Sequence, residues 1–365
     1  MQRHRLLVIL MLFEALFIVN RVLAAPTVRW GLNPRPQRQA ASYIFSDVGG
    51  LGSPGNLVTA AVGINDQGQV LCSARVRQTG QDHDSNGQRL GDNDLPQYGF
   101  LWQAGSVRAL GVPSPLCLNS TGQIVFERTF EAFSLWDNGH TSDLSGLNGE
   151  YFNGMNVAGS IVGVWHSRAC LWQADTATDP KTLNGRETDL GTLGGYISTA
   201  YAISARTQVV GMADTLDGVS HPFLWQDGRM AQLGNPARGG VARAINGRGQ
   251  VVGAAYTASG EKHAALFSGS KVTDLGVLPG DTESTAFAIN DAGQIVGESF
   301  HWESGNIISH AVLWEHGRAR DLDCLPGKPN GWTLWRALGI NRRGQIVGNA
   351  YVGHQARVFL WTPKA

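Results

Sequence analysis

The sequence has no excess of charge of either sign: lysine and arginine together number 29, and so do aspartate and glutamate. Without the first 24 residues, which carry Arg3, Arg5, Arg21 and Glu14, the balance is 26 against 28. Such a chain has no basic face to track a phosphate backbone or an anionic bilayer, so no nucleic-acid partner is expected. Long apolar runs are scarce as well. The one run, Leu6 to Val19, is interrupted by Glu14 and closed by Arg21, short of the ~20 clean apolar residues of a spanning helix. No later stretch could span a bilayer. Cysteine is sparse, at four residues, and Cys72, Cys117, Cys170 and Cys324 fall at four different places in the repeat described below. Three lie inside apolar strand cores, which argues for buried thiols acting as small hydrophobes rather than for a disulfide framework. Neither a serine nucleophile elbow nor a His-Glu zinc helix occurs.

What is present begins with a secretory pattern. Arg3, His4 and Arg5 form a charged start, the apolar run follows, and Val22-Leu23-Ala24 suits cleavage after Ala24. Residues 1–24 are therefore expected to be a signal peptide, 25–41 a linker, and the mature chain secreted or periplasmic. Glycine is abundant, at 47 residues, and recurs at fixed places, which reads as turns rather than disorder.

Four signatures repeat in one order. Leu-Trp occurs at Trp102, Trp136, Trp172, Trp225, Trp314 and Trp361, with Phe267 in the seventh place. Seven residues on comes Asp-Leu-Gly or a relative, at Ala109, Asp143, Gln232, Asp274 and Asp321, and in a stretched copy at Asp189. Ile-Asn stands at Asn65, Asn246, Asn290 and Asn341, weakened at Asn119, Asn156 and Ser204. Gln-Val-Val-Gly stands at Gln208, Gln250, Gln294 and Gln345, with looser copies at Gln69, Gln123 and Ser160. Asp-Gly and Asn-Gly pairs, as in Gln226-Asp227-Gly228 and Asp137-Asn138-Gly139, make Leu-Trp and Asp-Leu-Gly hairpin partners. Asn290-Asp291-Ala292-Gly293 makes a second hairpin of Ile-Asn with Gln-Val-Val-Gly.

The unit is thus a four-stranded meander of roughly 45 residues, apolar on both faces, and such a sheet must be covered on both. The pattern predicts an all-β, seven-bladed β-propeller over residues 42–361, followed by a short tail, 362–365; an open β repeat stack is the alternative. An orphan Asp-Leu-Gly strand, Tyr43 to Gly49, precedes the first unit, and the last ends at Trp361 without one. The two ends complete one blade, which hides the edge strands of a ring and gains a stack nothing.

The segments Asp189 to Gly195, Ala288-Ile289-Asn290, Gln250 to Gly253 and His221 to Trp225 resemble the unit of the bacterial extracellular HAF-repeat family. The His-Ala-Phe triplet is altered to His221-Pro222-Phe223, His263-Ala264-Ala265 and His310-Ala311-Val312. The resemblance implies an exported repeat protein, released rather than anchored, and brings no activity with it.

A non-enzymatic binding or surface-interaction module is the expected function, a monomer holding an extracellular glycan or protein on loops rich in aromatics: Tyr151, Phe152, Tyr196, Trp302, Trp332 and Trp335. Trp302 and Trp332 should share a face with the insertion around Asp82. A propeller hydrolase or lyase is the alternative, and requires carboxylates such as Asp217, Asp281, Glu283 and Glu303 to converge over the axis. Asp82, Asp84 and Asn86, followed by Gly87, match the opening of a calcium loop, but its closing position is Asn93, so calcium is a weak candidate and no cofactor is expected. Gly50 to Gly55 matches GxGxxG, yet Pro54 follows where a helix is needed. The Asp of Asp-Leu-Gly reads as a hydrogen-bonding strand-end residue. His221, His263 and His310 share one register and read as packing or hydrogen bonding between blades.

Overall fold

The computed structural model describes residues 43–48, 56–76, 97–129, 132–144, 147, 149–173, 187–235 and 238–364; side-chain packing is described for these except 56–59, 76 and 129. The expected signal and linker, the calcium-like loop and the GxGxxG segment lie outside the described residues. Those that are described are almost wholly strand, and no helix among them is long and apolar enough to cross a membrane.

Seven four-stranded antiparallel sheets form the blades of a β-propeller. After β1 (Tyr43–Asp47), blade one is β2 (Asn56–Ile64), β3 (Val70–Val76), β4 (Gln97–Gln103) and β5 (Ser106–Pro113). Blade two is β6 (Pro115–Leu118), β7 (Ile124–Thr129), β8 (Ala132–Asp137) and β9 (His140–Asp143). Blade three is β10 (Tyr151–Met155), β11 (Ile161–Trp165), β12 (Arg168–Trp172) and β13 (Glu187–Asp189). Blade four is β14 (Gly194–Ile203), β15 (Val209–Thr215), β16 (Ser220–Gln226) and β17 (Arg229–Gln232). Blade five is β18 (Gly240–Ile245), β19 (Val251–Tyr256), β20 (Lys262–Ser268) and β21 (Lys271–Asp274). Blade six is β22 (Glu283–Ile289), β23 (Ile295–Glu303), β24 (Asn306–Glu315) and β25 (Arg318–Asp321), followed by a 3-10 turn, Leu322–Cys324. Blade seven is β26 (Trp332–Ile340), β27 (Ile346–Val352), β28 (Gln355–Pro363) and the N-terminal β1.

Closure follows the sequence expectation. β1 runs antiparallel to β28 from Tyr43 opposite Pro363 to Asp47 opposite Phe359, and the Val48 N–H donates to Val358 O at 3.1 Å. Phe45 sits edge-on between Trp332 and Trp361, with ring centroids 4.9 and 5.0 Å away. The outer backbone groups of β28 are thereby paired, which an open end would leave exposed.

The Ile-Asn signature does more than turn the chain. In Asn290, Oδ1 accepts from the N–H of Ala292 and Gln294, while Nδ2 donates to Gln294 Oε1 and, across the blade boundary, to Asn341 O at 3.1 Å. The same cross-blade bond runs from Asn65 to Asn119, Asn119 to Asn156, Asn156 to Ser204, Asn246 to Asn290 and Asn341 back to Asn65. These buried amides form a belt around the axis with one link absent, at Ser204, whose hydroxyl accepts the two turn N–H groups at 3.2 Å each but has no second arm. Three residues beyond the Asn the backbone takes a positive φ, as at Gly293 (83°); blade four places Thr207 there at 61°, a strained position for a β-branched residue.

The glycine of Gln-Val-Val-Gly has a different cause from the turn glycines, a point on which the turn reading is corrected. At Gly163, Gly211, Gly253, Gly297 and Gly348 an added Cβ would lie 1.8–2.1 Å from a carbonyl oxygen of the neighbouring inner strand. No side chain fits there. Cores form between blades: Val252 and Ala264 of blade five pack with Ala286, Ile295, Val312 and Trp314 of blade six, for example. Cys72, Cys117 and Cys170 are buried free thiols pushed up to about 12 by desolvation, and Cys324 is free and exposed.

Candidate functional site

The innermost strands β2, β6, β10, β14, β18, β22 and β26 touch one another in ring order, with β26 meeting β2, so they line the axis. Each carries a β-bulge at the same place, three residues before the Asn (or Ser204) of the belt. The bulged residues are Val62, Leu116, Asn153, Tyr201, Arg243, Phe287 and Leu338, all half-buried. A mid-strand residue there meets solvent only along the axis. One side of the wall, from blades seven, one and two, is therefore aliphatic. The other, from blades three to six, is polar, aromatic and basic. Bulges re-aim side chains, and here they do so towards the axial space.

The upper face carries the connections from second to third strand and from the fourth strand to the next blade. Trp302, at the end of β23, and Trp332, at the start of β26, both lie at this end, as do Tyr151 and Tyr196 near the starts of β10 and β14. Their exposure separates them. Tyr196 is 91 % exposed and Trp302 61 %, whereas Trp332 is 8 % exposed and wedged against Phe45. Phe152 is core, packed edge-on to Phe133 and Trp172. Tyr151 is half-buried, and Trp335 stacks on Tyr351 at 5.9 Å. Trp332 and Phe152 are thus structural residues rather than ligand platforms, because their rings pack on Phe45 and on Phe133 and Trp172.

Sequence reasoning missed other members of this face. Among the described residues nine large apolar side chains are exposed, and six of them, Tyr196, Leu216, Val219, Tyr256, Trp302 and Ile308, lie at the upper ends of blades four, five and six. They are adjacent in part: a Cβ at Gly194 would touch Leu216, and one at Gly239 would touch both Val219 and Tyr256. The available signal was the aromatic that ends the second strand, three residues past the strand glycine in Tyr256 and five past it in Trp302. Blade six projects this rim furthest, because β23 and β24 stay paired to Glu303 opposite Asn306.

Beside Trp302 lies a histidine pair on one carboxylate. Asp281, with a side chain 2 % exposed, accepts from His301 Nδ1 at 2.7 Å and from His310 Nδ1 at 3.1 Å, and the two imidazoles stack 24° from parallel. Burial pushes the Asp281 carboxyl upward, but the hydrogen bonds from His310 and His301 outweigh it and hold it below its ordinary value. His310 moves the other way, raised first by its bond to Asp281 against the effect of desolvation. No group of three or more His, Cys, Asp or Glu side chains among the described residues is arranged to hold a metal ion.

This cluster departs from the repeat. His263 bonds to Asp274, Arg168 to Asp189 and His221 to Gln232, each to the Asp-Leu-Gly position of its own blade. The register therefore pairs strands within a blade, not across blades as expected. In blade six the equivalent Asp321 makes the same strand-end bond, accepting from the Asp323 N–H at 2.8 Å, but its second oxygen takes Cys324 Sγ at 3.3 Å, and His310 turns to Asp281. The strand-end reading of the Asp residues holds, as Asp189 and Asp274 accept from Gly191 and Gly276. Of the carboxylates considered for hydrolysis, Asp217 bonds to Thr215 and Val219 in its own turn in blade four and Asp281 is occupied by both histidines, while Glu283, opposite Phe300, and Glu303, at the end of β23, stand at the upper end of blade six.

The fold and this face define a class, the seven-bladed β-propellers of four-stranded blades. The chain is similar in structure to an acylaminoacyl peptidase from Pyrococcus horikoshii, at TM-score 0.52 and 12 % identity, over 83 % of this chain and 51 % of that one. It spans about half the length of that peptidase, and the likeness shows the fold alone. A Xanthomonas campestris gluconolactonase (TM-score 0.39, 9 % identity, 90 % and 99 % covered) and an Aleuria aurantia lectin in complex with Fucalpha1-6GlcNAc (0.35, 13 %, 76 % and 98 %) superpose more loosely and carry no argument. No protein-family model and no curated protein matches the chain.

Proposed function

We propose that this is an exported HAF-type repeat propeller that binds an extracellular saccharide on its upper face, as a non-enzymatic module. One observation carries the reading: the exposed apolar and aromatic side chains gather at one end of the ring and within three consecutive blades. The other exposed large apolar side chains among the described residues, Ile44, Val107 and Val157, stand singly. Aromatic rings presented flat to solvent supply contact area to the C–H faces of sugars, and neighbouring imidazoles and carboxylates supply hydrogen bonds. Functional groups on loops held by a rigid scaffold fit a binding role. The signal-like start of the chain supports export, which an oxidising compartment with four unpaired thiols does not oppose, since three are buried.

The test is a panel of immobilised polysaccharides probed with the wild-type chain and with a Tyr196→Ala/Trp302→Ala double variant. Both residues are exposed, so the variant should melt as the wild type does while losing about tenfold or more in affinity, from a stacking contribution of about 0.5–1.5 kcal/mol per ring. Equal binding by both proteins, or retention of peptides and no saccharide, would overturn the reading.

A further inference from the structure

Arg243 is the one cation among the seven bulged residues that line the axis. Its guanidinium carbon lies 4.6 Å over the Tyr201 ring of blade four, and its Nε is buried with no hydrogen-bond partner. No carboxylate among the described residues pairs with it. A half-buried guanidinium without an acid or carbonyl partner is costly, and such a group is kept where something else meets it.

Two blades further round, another arginine stacks on the equivalent ring, with an acid beside it. Arg336 lies 5.1 Å over Phe287 and 5.0 Å over Trp335, and its Nε and Nη2 donate to both oxygens of Glu298 at 2.6 and 2.9 Å. Glu298 stands one residue beyond the strand glycine Gly297. The same place in blade four, one residue beyond Gly211, is Met212, whose Sδ lies 3.9 Å from the Tyr201 hydroxyl. Arg336 stands at the strand position of Val241 rather than of Arg243, so the two arginines reach the equivalent rings Phe287 and Tyr201 from different levels, and beside Tyr201 stands a thioether in place of a carboxylate. With one planar face covered by Tyr201 and Nε buried, the Nη1–Nη2 edge of the guanidinium remains for a bidentate acceptor.

We propose that Arg243, with Tyr201, forms a carboxylate-binding site on the axial wall between blades four and five, where a ligand's carboxylate meets the outer, Nη edge of the guanidinium. Asn153 and Phe287 flank this side of the axis, and Val62, Leu116 and Leu338 line the other. The site therefore suits an acidic molecule with an apolar or C–H-rich remainder. It stands apart from the saccharide reading of the upper face.

The experiment is a thermal melt at constant ionic strength with D-glucuronate, D-glucose, phosphate or sulfate as probe. Glucuronate should raise the midpoint and glucose should not. Arg243→Gln should weaken the glucuronate response about tenfold or more. Met212→Glu supplies an internal acid, and should raise the midpoint without any probe while removing the response. Tyr196→Ala/Trp302→Ala should leave the response unchanged, which separates this site from the upper face. An equal response to glucose, a response surviving Arg243→Gln, or a Met212→Glu variant that is destabilised and still responds would overturn the site. An equal response to phosphate and sulfate would overturn its carboxylate assignment.

Discussion

Asn341 closes the belt of amides across the whole length of the chain, its Nδ2 donating to Asn65 O at 3.0 Å. Replacing it by serine reproduces what blade four already has. The hydroxyl can still accept from the N–H of Arg343 and Gln345, as Ser204 accepts from Arg206 and Gln208, but the cross-blade arm is gone. Asn65 O keeps its bond from the Gly68 N–H and is not orphaned, so the loss is one buried hydrogen bond, about 1 kcal/mol. Asn341→Ala also strands two turn N–H groups, for a total of about 3 kcal/mol. For a chain of this size 1 kcal/mol moves the melting midpoint by about 2 °C, so the two variants should fall by about 2 and 6 °C in scanning calorimetry. The reverse change is the sharper test. Ser204→Asn with Thr207→Gly adds the absent link towards Asn246 O and relieves a β-branched residue at positive φ, about 1 kcal/mol each, raising the midpoint by about 4 °C. Serine and alanine variants of Asn341 that melt alike, or a double variant in blade four that melts lower than wild type, would refute the belt as a source of stability.

Gly253→Ala should cost more than about 3 kcal/mol by urea denaturation, because its Cβ would lie 2.0 Å from Val241 O and strand separation is the only relief. The Asp281 cluster should give a bell-shaped stability difference between wild type and Asp281→Asn. Asp281 is depressed, so its contribution is present above the ordinary carboxylate value of 3.8 and lost as pH falls through its lower folded value. His310 is raised, so its contribution is full below 6.5 and lost as pH rises through its higher folded value. The difference should peak at about pH 5–6, and a flat profile from pH 3 to 9 would contradict the ion pairing.

The ring, its seven units and the shared closing blade were legible in the sequence because a repeat displays each fold-determining contact several times over. Asn290 recurs as a belt residue and Gly253 as a close approach, and a pattern is visible even before its cause is. The strand glycine looked like a turn residue because the sequence shows a glycine's position but not the carbonyl that faces it. Trp332 and Phe152 looked like rim aromatics because depth along a strand shifts with each bulge, and one residue of slip turns a side chain from solvent to core. His310 shares its register with His263, yet nothing in the sequence tells that Cys324 takes the second oxygen of Asp321 and that Asp281 becomes the partner of His310.

The residues that deviate from the repeat are where function is most economically sought. A position kept in most blades answers to folding, since each blade buries the same faces against its neighbours. Arg243, Met212, Asp281 and the extended β23–β24 hairpin fit no such need, and a half-buried guanidinium without an acid works against stability. These departures fall on blades four to six, the same arc that carries the exposed aromatics and the polar half of the axial wall. Blades one and two depart in another way: Cys72 and Phe126 replace the strand glycine, and apolar Val62 and Leu116 face the axis. Degeneracy there relaxes the repeat without adding chemistry. A ring built from near-identical units thus acquires a polarised interior, and a ligand bound along it would meet its charged and aromatic contacts on a single side.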